Sequence, residues 1–165
     1  MCGSAYYELG AQTIADGELS MNLKRASIGA TAVLPVAMVG LFVRHALFAA
    51  RTGLLVVQVL AVILVIWARL TFGMRSLHYA ANPTDGGLVT SGPYRFVRHP
   101  IYAAILFFVW AGVVSQPTLL GAGLGILVSG ATAVRIVAEE RLVTARYPEY
   151  VAYAARTKRV IPFLV

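Results

Sequence analysis

Charge is scarce in this chain. Only 13% of its residues are Asp, Glu, Lys or Arg, about half the share usual in a soluble domain. Acid is scarcer still, with 7 Asp and Glu against 14 Lys and Arg. Such a chain has too few polar side chains to cover a water-soluble globule, and a hydrophobic fraction of 59% with a mean hydropathy of +0.75 points to a bilayer as its solvent. Cysteine is nearly missing. A lone Cys2 excludes an internal disulfide and any CxxC chemistry. His45, His78 and His99 are the only histidines, too few for a metal cluster, so no metal is expected. No Walker-type glycine loop, no GxGxxG after a strand and no HExxH occurs, which removes the common nucleotide-binding and zinc-protease classes. No Asp or Glu lies deep in an apolar stretch, which argues against a proton-coupled transporter.

What is present is a series of apolar runs in one domain of 165 residues. The first spans 28–43, with an extension to Ala50 conceivable from its composition; the others span 53–72, 100–115 and 117–137. A helix needs about 20 residues to cross the hydrocarbon, so four transmembrane helices are expected and the third is short. The fold class is therefore an all-α multi-pass membrane protein with a cytoplasmic loop and a helical C-terminal tail. Residues 1–27 read as a polar tail rather than a signal peptide, 28–72 as the first two spans, and 73–165 as the functional core. Pro100 and Pro117 mark helix starts, where a missing N–H costs nothing. The fourth helix is expected to run on through Leu142 and break at Pro148, which takes the first position of a short helix ending near Thr157.

The net charge of +7 is assigned to span ends and anionic headgroups, and no nucleic acid is expected. With the N-terminus inside, all Lys and Arg except Arg44 and Arg51 fall on the inner side. That bias puts the 73–99 loop and the 138–165 tail together on the cytoplasmic face. Arg44, Arg69 and Arg135 are placed to snorkel from helix ends.

Three groups of residues carry potential chemistry. Tyr94, Arg95, Arg98, His99 and Tyr102 crowd the start of the third span, where free backbone N–H groups and the helix dipole favour an anion. The plainer alternative is a set of headgroup anchors with an aromatic belt. Arg135 and Glu139 are four residues apart and share a helix face, whereas Glu140 is rotated by about 100°. Only one of the two glutamates is thus expected to face the bundle. Tyr147, Tyr150 and Tyr153, followed by Arg156, Lys158 and Arg159, read most simply as an amphipathic segment on the headgroups.

Together these pieces resemble the isoprenylcysteine carboxyl methyltransferase family and its relatives, the phospholipid N-methyltransferases. The likeness lies in Leu88-Val89-Thr90-Ser91-Gly92-Pro93-Tyr94, Arg98-His99-Pro100-Ile101-Tyr102, Glu139-Glu140-Arg141-Leu142, and Tyr150 and Tyr153 with Arg159 and Pro162. The resemblance implies S-adenosyl-L-methionine as methyl donor, held between the loop and the tail. It assigns Gly87, Leu88, Val89, Tyr94, Arg98, His99, Pro100, Ile101 and Tyr102 to the cofactor pocket. Arg135, Glu139 and Glu140 fall to catalysis and the methyl acceptor. The acceptor is expected to be lipid-like or otherwise apolar, reaching the site from the bilayer. A carboxylate would be held by Arg135, and an amine would lose its proton to Glu139 or Glu140. Phospholipid N-methylation and a non-catalytic four-helix membrane subunit or transporter are the competing readings.

Overall fold

The structure is a computed structural model that describes residues 3–73 and 87–161. Cys2, Arg75, His78, the turn-rich run at 82–86 and Pro162 lie outside the described residues. Four principal helices form: α1 Gly3–Val43, α2 Thr52–Phe72, α3 Pro100–Ser115 and α4 Leu119–Arg146, followed by a short α5, Tyr150–Arg156. Among the described residues no strand forms, and a single parallel bridge joins Val97 to Lys158. Three helices are long and apolar enough to cross a membrane, and α3 is a shorter apolar helix. The chain is an integral membrane protein.

Local sequence accounts for most of the helix ends. Pro100 occupies the first position of α3, with His99 as its cap residue. Thr118 caps α4 by accepting the Gly121 amide at 3.0 Å, so that helix starts at Leu119 and not at Pro117. It runs unbroken through both glutamates to Arg146, and α5 begins only at Tyr150.

Two expectations at the N-terminal half change. Helix α1 crosses the expected boundary at residue 27 without a break and is helical from Gly3. It ends at Val43 and does not reach Ala50. His45 there takes a left-handed conformation (φ 55). Its amide donates to Phe42 O at 2.9 Å and the Ala46 amide to Leu41 O at 2.9 Å, the bond pattern of a Schellman stop. Glycine usually fills that position because a Cβ is strained there, and a histidine hides the signal.

The helices pack as two antiparallel pairs. Leu23 of α1 lies against Ala138 and Leu142 of α4, while Gly40 faces Leu124. Gln58 of α2 reaches Phe108 of α3, and the Phe72 ring meets Tyr94 just before α3. Ala37, Leu41, Ala46, Leu47, Val109, Val113 and Val128 form the core between the pairs. One end of the bundle is closed by residues 44–51 and 115–118. The other gathers 87–99 with the stretch leaving α4.

Candidate active site

The approach to α3 and the tail fold against each other at this second end. The Arg98 amide donates to Lys158 O at 2.7 Å and the His99 amide to Arg159 O at 2.9 Å. Tyr153 of α5 donates its hydroxyl to Tyr94 O at 2.6 Å. Two side chains of the tail thus turn inward: Tyr150 and Tyr153 are buried, against the expectation that this segment rests its tyrosines on headgroups. Burial pushes the phenols of Tyr94 and Tyr150 well above their ordinary value and Tyr153 up to about 12, with Thr157 and Arg98 holding Tyr153 lower. All three stay neutral donors across the physiological range.

Beneath the tail sits a continuous polar network. Arg135 is 6% exposed; it points into the bundle and does not snorkel outward. Its Nε donates to the Tyr102 hydroxyl at 2.6 Å and its Nη2 to Glu139 Oε1 at 3.0 Å. The Tyr102 hydroxyl in turn donates to Glu139 Oε1. Spacing of four along α4 makes the Arg135–Glu139 pair possible, and α3 supplies the tyrosine that completes it. His99 Nδ1 lies 3.8 Å from Glu139 Oε2, the side of that carboxylate left for other partners.

Glu140 also faces protein, which corrects the expectation for the glutamate pair. Arg98 Nε donates to Glu140 Oε1 at 2.9 Å, Arg159 Nε donates to Oε2 at 2.9 Å, and His99 Nε2 lies 3.4 Å from Oε1. Rotation along α4 would send Glu140 away from the bundle, but the tail wraps round and meets it there. Arg98 extends further, donating to Ala154 O at 2.7 Å and to Thr157 O. A cation there complements the negative end of α5.

Arg98, His99, Tyr102, Arg135, Glu139 and Glu140 are therefore brought into one network. Pro100 is buried and Ile101 half-buried in the first turn of α3. Leu88 and Val89 line a different feature, an open groove of about 530 Å³ with Thr71, Phe72, Gly73, Thr90 and Ser91. Gly87 adjoins that groove with φ +82. The α2 end of the groove has no mark in the sequence beyond the last apolar residues of a span. Gly92 explains the close fit: it has φ +57, and a Cβ there would run into the Thr71 side chain.

Comparison with known proteins shows the family. The sequence profile of the phospholipid methyltransferase family matches residues 33–150, and the chain belongs to that family. It is 31% identical over 87 residues to the cobalt-zinc-cadmium resistance protein CzcN of Cupriavidus metallidurans, a stretch covering 52% of this chain and 40% of that protein. It is likewise 31% identical over 87 residues to the nickel-cobalt-cadmium resistance protein NccN of Alcaligenes xylosoxydans xylosoxydans, covering 52% of this chain and 41% of that one. The chain thus spans about two fifths of the length of these curated relatives. No solved structure matches it.

Proposed function

We propose that this member of the phospholipid methyltransferase family transfers a methyl group from S-adenosyl-L-methionine to a lipid-like acceptor. Family membership carries the reading. It is supported by the groove that Leu88 and Val89 line and by the network between α3, α4 and the tail. The residues suit the donor. The groove's mixed wall of hydroxyls and apolar side chains fits an adenosyl group, and its volume lies in the range of ligand pockets. The first turn of α3 presents the Ile101 and Tyr102 amides, donors that suit a carboxylate.

When bound, the cofactor supplies a methyl group activated on positive sulfur. The one-step in-line transfer it would supply asks the chain to hold donor and acceptor in line. The chain's part is alignment and exclusion of water. In this reading Leu88 and Val89 hold the cofactor, while Arg135, Tyr102 and Glu139 orient the acceptor. Arg135 already gives two N–H groups to Tyr102 and Glu139, so its charge is balanced within the site. An amine acceptor fits this better than a carboxylate, which would have to displace Glu139 from Arg135. Glu139 then receives the proton that the amine sheds. The lipid-like acceptor arrives sideways from the bilayer, and the charged end is assigned to the cytoplasm by the excess of Lys and Arg there.

Calorimetry in detergent tests the donor: S-adenosyl-L-methionine and its demethylated product are expected to bind stoichiometrically. Silence at millimolar cofactor would remove the methyltransferase reading in favour of a non-catalytic subunit. Incubation with methyl-labelled cofactor and a lipid extract then identifies the acceptor. Label that resists alkaline hydrolysis marks an amine, and label released by base marks a carboxyl ester.

A further inference from the structure

Adjacent glutamates on one helix are easily read as a pair doing one job, but their partners here differ. Glu139 bonds to Arg135 of α4 and Tyr102 of α3, with His99 Nδ1 farther off at 3.8 Å. Glu140 spends both oxygens on residues outside α4: Arg98 and His99 from the approach to α3, and Arg159 from the stretch after α5. That stretch, 157–161, crosses the approach to α3 as a strap. Three backbone bonds attach it: the Arg98 amide to Lys158 O, the His99 amide to Arg159 O, and the Lys158 amide to Phe96 O at 3.4 Å. Of its side chains Lys158 and Arg159 are exposed, Val160 is half-buried and Thr157 is buried. These backbone bonds and the ion pair of Arg159 with Glu140 hold the strap.

We propose that Glu140 is a positioning residue whose contacts with Arg98, His99 and Arg159 lock the 157–161 strap across the start of α3, and that this lock holds the first turn of α3 in the position that receives the cofactor. The clause on the cofactor rests on the methyltransferase reading; the lock itself does not. Arg98 couples the parts, because the guanidinium that meets Glu140 also holds the Ala154 and Thr157 carbonyls at the end of α5. Loosening Glu140 therefore frees the strap and the end of α5 together.

Amide hydrogen exchange on the full chain in nanodiscs reads the lock without any ligand. In Glu140→Gln the Arg98, His99 and Lys158 amides are expected to exchange about tenfold faster or more, the effect of losing a charge-assisted hydrogen bond. In Glu139→Gln they are expected to keep their wild-type rates. Arg159 is half exposed, and Arg159→Gln removes one strap contact with little risk to folding. It is expected to speed the same amides by a smaller factor. Unchanged rates in both Glu140→Gln and Arg159→Gln overturn the lock. A second readout addresses the cofactor: Glu140→Gln is expected to raise KM for S-adenosyl-L-methionine about tenfold with little change in kcat, whereas Glu139→Gln lowers kcat. Equal losses of kcat in the two variants overturn the division of labour. If the strap amides respond as expected but the cofactor does not bind, the lock stands and the methyltransferase reading falls.

Discussion

At the end of the bundle made by residues 44–51 and 115–118 the ties are neutral. Gln58, 2% exposed, accepts the Ala49 amide and donates to the Leu47 and Phe108 carbonyls at 2.7 and 3.0 Å. Ser115 accepts the Ala50 and Arg51 amides. Gly112 lets the chain at Ala46 and Leu47 lie directly on α3. At the opposite end the ties are ionic, with Arg98 reaching Glu140 and Arg159 reaching the same carboxylate. The first end satisfies these backbone groups with uncharged side chains. The second keeps charges at the rim of the apolar slab, where they are expensive unless paired or used. Neutral ties and the ionic network thus stand at opposite ends.

Four measurements break or sharpen this contrast, taken from the largest effect downward. Arg135→Ala strands Glu139 and Tyr102 without their cation. It is expected to cost about 3 kcal/mol or more, the usual result of removing one partner of a buried pair, read as a fall in Tm in detergent. Gly112→Ala pushes a methyl group into the Ala46 and Leu47 carbonyls and is expected to cost about 2 kcal/mol by overpacking. Methyl transfer at the far end should survive if temperature is kept below the lowered Tm; loss of transfer in a folded variant would show that the ends are coupled. Gln58→Leu leaves the Ala49 amide and the Leu47 carbonyl without this partner and is expected to cost about 1–2 kcal/mol, again without change in KM for the cofactor.

The smallest effect is one of pH and belongs to the charged end alone. Tyr94, Tyr150 and Tyr153 have raised folded pKa values, so their contribution to stability is complete below the unfolded value of 10.0. It fades as pH rises from there, for Tyr153 through about 12. Exchange at the Tyr153 and Thr157 amides is expected to rise above pH 10 faster than chemistry alone dictates, while the Gln58 region shows no such excess. Equal behaviour at both ends would remove the distinction.

Hydropathy made the spans legible, because a slab of hydrocarbon imposes length and composition directly. Pro100 marked a helix start for reasons local to a few residues, while Pro117 pointed two residues early because Thr118 is the cap. The stop at His45 was not legible, since tertiary contact of Ala46 and Leu47 with α3 holds a residue in a conformation its side chain disfavours. The same divide runs through the site. Arg135 and Glu139 were visible as a pair from their spacing, but Tyr102 joins them only through the packing of α3 on α4. Glu140 looked outward by helical rotation until the tail supplied a second surface. Thr71, Phe72 and Gly73 gave no sign at all, because a groove wall needs only shape from them.

Helix α3 has 16 residues, about 24 Å at the rise of an α-helix, against roughly 30 Å of hydrocarbon. Its neighbours are long enough to span, and local thinning of the bilayer is one way a short helix is met. Thinning beside α3 would draw headgroups of one leaflet toward His99 and Tyr102 on that flank. Polar ends of lipids would thus be presented at the height of the ionic network while their tails stay immersed, and no molecule need be lifted out of the leaflet to be reached.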